Sequence, residues 1–234
     1  MERDSVTELV QWLQDKFVES CEAIGQPVPF AGLRISPPIR PEEAKYFLLG
    51  LETGLFRIDE FGGAHSVLRT SRVGVAGSAG CRLFSSDPLP PRLVRDSICQ
   101  LSTASFLILK RGWLTSHIQL DPNLKDDRGT PYGIDILVRS TTGQILICVE
   151  VKRSAAELQK LSADLRACCF RGPHGRDQCG FPQNHPNYEF CASFKPVYFW
   201  AVAPDADVCF KMNYEGQTIK PEQLMSLPPR SLIE

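Results

Sequence analysis

The sequence has no apolar run near the roughly eighteen residues needed to cross a bilayer, so no transmembrane helix is expected and no membrane partner. Its start, Met1-Glu2-Arg3-Asp4, lacks a basic stretch leading into an apolar block. No secretory leader is visible, and the expected location is the cytoplasm. Charge of one sign is also missing: 26 Lys and Arg against 27 Asp and Glu leave a net charge of −1. Without a global basic field, any hold on nucleic acid must come from a local patch or a protein partner. Gly74, Gly77 and Gly80 match neither the P-loop nor the dinucleotide fingerprint, and no Lys-Ser/Thr follows them, which argues against a phosphate-cradling loop. The nine cysteines include no Cys-x-x-Cys pair, and their odd number argues against a complete disulfide framework. In a reducing compartment they read as buried thiols, metal ligands or reactive groups. No Cys or His sits at a recognisable strand-to-helix junction, which gives a cysteine protease little support.

What is present is ordinary globular composition, 43 % apolar and 23 % charged over 234 residues. That length suits one large domain or a core domain with an appendage. Val6, Leu9, Val10, Leu13 and Phe17 share one face of a helix expected from Ser5 to Cys21. Ser5 and Glu8 form a capping-box pattern at its start. Prolines 27, 29, 37 and 38 make residues 25–40 an extended connector, and a second helix is expected from Pro41 to Glu52. Leu55–Asp59 reads as a short strand and residues 65–84 as interrupted β structure. Ser85–Pro91 is the clearest boundary, followed by a helix to Lys110 that carries Asp96 as its one acid. Trp113–Leu120 reads as a strand, and residues 121–132 as a polar loop that includes Asp126 and Asp127.

The most informative stretch is Gly133–Lys152. Gly-Ile-Asp-Ile-Leu-Val and Ile-Leu-Ile-Cys-Val-Glu-Val-Lys flank a polar turn at Gly143, the form of a β-hairpin. A carboxylate in such an apolar run is costly to bury without a partner or a metal. A four-residue loop at 140–143 would set Arg139 opposite Gln144, Leu137 opposite Leu146 and Asp135 opposite Cys148. Alternation would then place Cys148, Glu150, Lys152 and Asp135 on one face. Asp135 and Glu150 would be diagonal neighbours, about 7–8 Å apart between backbones. A slip of one residue would send Asp135 to the other face.

Asp135 with the Glu150-Val151-Lys152 triplet, in this strand-turn-strand setting, resembles the PD-(D/E)xK or restriction-endonuclease-like nucleases. The resemblance implies a Mg²⁺ or Mn²⁺ ion held by Asp135, Glu150 and the Val151 carbonyl. It also implies a catalytic role for Lys152 beside the attacking water, and in some members a further acid from the preceding helix, here Asp96. Hard oxygen donors suit Mg²⁺, which polarises a phosphate and acidifies bound water. The triplet alone is weak, since an acid-x-Lys triplet is expected by chance and Glu43-Ala44-Lys45 is a second one. Only Glu150 ends a β run with an acid on the strand before it. The plainer alternative is a Glu150–Lys152 ion pair at an exposed strand end.

Beyond Lys152 the period changes. Ala155, Leu158, Leu161, Leu165 and Cys168 mark a helix over 154–169, and Pro196–Ala203 reads as a strand covered on both faces. Strand, helix, buried strand is a crossover unit, and Val208–Met212 adds a further strand before a tail of loop or short helix. Between them lie Cys168, Cys169, His174, Cys179, His185 and Cys191, residue types that zinc prefers. Their spacing fits no standard finger, and Cys168 also belongs to the helix's apolar face. The first reading is a loop beside the site, touching substrate through Arg166, Arg171, His174, Arg176 and Lys195. A structural zinc ion is the second.

The sequence therefore reads as an α/β protein: a restriction-endonuclease-like mixed sheet flanked by helices over 87–234, after an N-terminal α+β portion over 1–86. The function implied is metal-dependent hydrolysis of phosphodiester bonds in DNA, within a restriction, repair or phage-defence system. The rival is a catalytically inactive scaffold of the same fold that binds nucleic acid or a protein partner.

Overall fold

The structure is a computed structural model that describes residues 4–70, 81–85, 91–126 and 128–233. Gly74, Gly77 and Gly80, most of the expected boundary (86–90) and Asp127 lie outside the described residues. The chain is mixed α/β and divides into two compact units, Met1–Thr115 and Ser116–Glu234. None of the described helices is long and apolar enough to cross a membrane.

The N-terminal unit carries helices α1 (Ser5–Ala23), α2 (Pro41–Glu52) and α3 (Arg95–Leu109). The cap of α1 is Asp4 rather than Ser5: its carboxylate accepts from the Val6 amide and the Thr7 hydroxyl, both at 3.3 Å. Leu9, Leu13 and Phe17 are buried, as their spacing requires. Pro41 starts α2, where a missing amide costs nothing. Residues 25–40 contain no helix or strand, as the prolines imply. Short strands β1 (Phe56–Ile58) and β2 (Ala64–Ser66) form a hairpin. Three two-residue strands follow: β3 (Arg69–Thr70), β4 (Phe84–Ser85) and β5 (Arg92–Leu93), the last two paired antiparallel.

The division after Thr115 differs from the boundary expected at 86/87. The reason is a buried ion pair: Arg95, at the start of α3, forks onto both carboxylate oxygens of Glu43 in α2. It also donates to the carbonyls of Pro37 (3.0 Å) and Pro38 (3.2 Å). Gly50 of α2 brings the backbone against Ser105 of α3 and Phe56. With its charged start and apolar length committed to α2, α3 belongs to the first unit, and so does Asp96. The competing triplet Glu43-Ala44-Lys45 is thereby explained, because its acid serves Arg95.

The C-terminal unit opens with a 3₁₀ turn and β6 (Ile118–Leu120), shorter than the strand expected from Trp113. Then come β7 (Ile136–Arg139), β8 (Ile145–Val151), α4 (Ala155–Arg171), α5 (His185–Phe194), β9 (Tyr198–Ala203), β10 (Ala206–Glu215) and β11 (Thr218–Leu224). Within this unit the sheet order is β11-β10-β9-β8-β7-β6, with every neighbouring pair antiparallel except β8 and β9. All seven residues of β8 and all six of β9 are buried, the pattern of strands covered on both faces. The chain passes from β8 to the parallel β9 through α4 and α5. Ser154 caps α4 by accepting from the Glu157 amide, and the helix presents Leu158, Leu161, Leu165 and Cys168 to the core. That core also holds Leu137, Cys148, Phe199 and Phe210, which fixes the sheet face that α4 covers. Both α5 and β11 fall where the sequence read as loop or tail. Pro186 in its first turn was the available sign of α5.

Candidate active site

Asp135, Glu150 and Lys152 meet at one end of the three-strand meander β6-β7-β8. Glu150 is 5 % exposed, and the other six residues of its strand are apolar and buried. By alternation it shares the face of Cys148, the face covered by α4. Lys152 lies just past β8, where its amide donates to the Val202 carbonyl (2.8 Å) and extends the pairing with β9. Its Nζ reaches back along the strand to Glu150 Oε1, 2.6 Å away.

Asp135 stands immediately before β7. Its amide donates to the Val149 carbonyl (3.0 Å), and its Oδ2 accepts from the Val151 amide (2.6 Å). The expected register is corrected by the structure: Leu137 faces Cys148 rather than Leu146, and Arg139 faces Ile145 rather than Gln144. The cause is an irregularity between Val138 and Arg139, next to a turn closed by the Gly143 amide on the Ser140 carbonyl (3.0 Å). Gly143 takes φ +89° there, a conformation that favours glycine. The shift at Leu137 is two residues, and two residues preserve parity. Asp135 therefore keeps its expected face and lies beside Val149–Val151 instead of across from Cys148. What the structure records of Val151 at the site is its amide, which donates to Asp135.

A third acid was not anticipated. Asp121, one residue past β6, is buried at 6 % exposure, and its amide donates to the Asp135 carbonyl (2.8 Å). Its φ of 41° lies in the left-handed region, which aspartate tolerates better than most residues. The available sign was an acid directly following a strand whose partner strand also has an acid at its end. Asp126, by contrast, serves its own loop, accepting from the amides of Arg128 (2.9 Å) and Thr130 (2.7 Å).

The electrostatics follow from this crowding. Burial pushes the Asp135 carboxyl well above the ordinary carboxylate range, and the negative charges of Glu150 and Asp121 push it the same way. The Val151 amide and Lys152 oppose the shift without cancelling it. For Lys152, burial disfavours the charged form, but the Glu150 carboxylate outweighs it and holds the ammonium above its usual value. The Asp135 carboxyl thus stands among the charges of Glu150, Asp121 and Lys152. Carboxylate oxygens are the donors that hard divalent cations prefer, and Asp135 and Glu150 are the two residues here that could offer them to one.

The loop expected beside the site is partly ordered. It contains a 3₁₀ turn at Arg176–Gln178 and ends in α5. Two of its expected substrate contacts bind the loop itself: Arg171 donates to the Gln178 carbonyl, and Arg176 to the Pro182 carbonyl. Arg166 and Lys195 are exposed. His174 turns inward, its Nδ1 2.6 Å from the Gly172 carbonyl. No protein-family model matches the sequence, and no curated protein matches it.

Proposed function

We propose that the chain is a metal-dependent nuclease that hydrolyses internal phosphodiester bonds in DNA. The observation that carries this reading is the meeting of Asp135, Glu150 and Lys152 at one strand end, with Asp135 crowded beside Glu150. The order β6-β7-β8-α4-β9, an antiparallel meander followed by a crossover to a parallel strand, supports it by its resemblance to the restriction-endonuclease-like core. DNA rather than RNA follows that resemblance alone.

In this reading Asp135 and Glu150 hold Mg²⁺ or Mn²⁺, which supplies Lewis-acid polarisation of the scissile phosphate and activation of water at neutral pH. The Val151 amide fixes the Asp135 carboxylate so that its second oxygen has a set direction. Lys152 enters as an ammonium, because its neighbour Glu150 favours the protonated form. It therefore stabilises charge building on the phosphorus oxygens and orients water by donating to it. Proton abstraction is not its role in that state. The near-zero net charge supports delivery of substrate by a recruiting protein partner.

The test uses purified protein, plasmid DNA and Mg²⁺ or Mn²⁺. The wild type is expected to nick or linearise the plasmid, and Lys152→Ala to lose about 10²–10³-fold in rate with unchanged circular dichroism. Isothermal titration with Mn²⁺ removes the dependence on a recruiting partner: binding is expected in the wild type and Lys152→Ala and lost in Asp135→Asn. Equal cleavage by wild type and Lys152→Ala, or Mn²⁺ binding indifferent to Asp135, would favour the inactive scaffold.

A further inference from the structure

The donor groups of Cys168, His174, Cys179 and His185, one from each residue, all lie within 4.8 Å of one another. They come from three pieces of local structure. Cys168 sits in the last turn of α4, His174 and Cys179 in the connecting loop, and His185 is the first residue of α5. Tetrahedral zinc, with sulfur at about 2.3 Å and nitrogen at about 2.0–2.1 Å, holds its four donors about 3.3–3.8 Å apart. The two sulfurs are already 3.4 Å apart, and both cysteines are free thiols. The largest separation, 4.8 Å, exceeds the tetrahedral spacing by about an ångström.

The hydrogen bonds point the same way. His174 Nδ1 faces the Gly172 carbonyl, which can only accept, so Nδ1 carries the proton and Nε2 the lone pair. That Nε2 is buried and has no hydrogen-bond partner among the described residues. A backbone carbonyl on one ring nitrogen is the usual outer support of a histidine that ligates through the other. His185 is fully buried; its Nε2 stands 3.3 Å from Glu189 Oε1, and its Nδ1 has no hydrogen-bond partner among the described residues. Cys179 Sγ accepts a hydrogen bond from the Phe181 amide (3.3 Å), which fixes the direction of the sulfur. Buried imidazole nitrogens left without partners carry a desolvation cost that a metal would remove.

The surrounding segment supplies a reason for the ion. Residues 172–184 include two prolines and three glycines, and the 3₁₀ turn within them buries no residue. Little apolar area is available to order this loop. We propose that Cys168, His174, Cys179 and His185 bind one structural zinc ion that staples the end of α4 and the start of α5 across the connecting loop. Two sulfurs and two nitrogens close the tetrahedron, so no position remains for substrate or water. The site is distinct from the proposed hydrolytic centre. Cys168 is about 20 Å of helix from Ala155 at 1.5 Å per residue, and the inference does not rest on the nuclease reading.

The experiment uses the full chain, expressed with added zinc and passed over a desalting column with weak chelator. Elemental analysis is expected to find about one zinc per chain, falling at least tenfold in Cys179→Ser and in His174→Ala and unchanged in Cys169→Ser and Lys152→Ala. Cobalt(II) replacement in the wild type, which needs no variant to fold, is expected to give the intense visible bands of a tetrahedral ion and thiolate charge transfer. Zinc absent from the wild type, zinc retained by both ligand variants, or a cobalt spectrum of an octahedral ion without charge transfer would each overturn the assignment.

Discussion

Replacing Asp135 with Asn separates what this carboxylate costs from what it does. Asn is the same size, and its Oδ1 can accept the Val151 amide as Asp135 Oδ2 does at 2.6 Å. What disappears is a buried charge held beside Glu150 and Asp121. Because burial raises the folded-state carboxyl above its unfolded value near 3.9, the folded protein binds more protons than the unfolded one in the interval between the two values. Stability therefore falls as pH rises through that interval. The penalty is absent below the unfolded value and complete above the folded one. Protonation caps it: by pH 7 the charge can cost at most about 4 kcal/mol, since beyond that the group stays neutral. Against this stands about 1 kcal/mol lost when a charge-assisted hydrogen bond becomes a neutral one.

Asp135→Asn is thus expected to be more stable than wild type at pH 7 by about 1–3 kcal/mol without added Mg²⁺. The difference should shrink towards zero or reverse near pH 4. Urea unfolding from pH 4 to 8 measures it. Mg²⁺ at about a thousand times its Kd should then reverse the order of stability, since it stabilises only the binding-competent protein, by about 4 kcal/mol. The variant should have no nuclease activity. A wild type and variant with parallel pH profiles, or equal stabilisation of both by Mg²⁺, would refute the idea of a strained carboxylate kept for metal.

Two further outcomes test the N-terminal unit. Glu43→Ala leaves the Arg95 guanidinium buried with, among the described residues, the Pro37 and Pro38 carbonyls as its remaining hydrogen-bond acceptors. A loss of about 3–5 kcal/mol is expected in chemical unfolding, and a loss below about 1 kcal/mol would mean that the pair is solvated. Gly50→Ala puts a methyl group into Ser105 and the Phe56 ring. A cost of about 1–3 kcal/mol is expected by thermal melting, and no change in the midpoint would show that α2 and α3 have room to separate.

Much of this protein is legible in one dimension. The spacing of Leu9, Leu13 and Phe17 marks α1, and that of Leu158, Leu161 and Leu165 marks α4, because a helix with one apolar stripe has a single way to bury it. The continuous apolar runs of β8 and β9 identify strands covered on both faces, and an acid within such a run announces a cost in need of a reason. Alternation alone set Asp135 and Glu150 on a common face. It survived an error of two residues in register because strand periodicity is two.

What lay beyond the sequence was every feature that depends on residues distant in the chain. The irregularity beside Arg139 and the left-handed turn at Asp121 are local geometries set by how the strands close on one another, so the direct Val151–Asp135 bond and the third acid emerged only in three dimensions. The allegiance of α3 rests on Arg95 and Glu43, separated by fifty-two positions. Cys168, His174, Cys179 and His185 follow no familiar ligand spacing, because the loop between α4 and α5 folds back before it delivers them. Periodicity records which side of an element is apolar. Which charged groups end up facing one another is decided by packing, where burial makes each unpaired charge or polar atom expensive enough to select its partner.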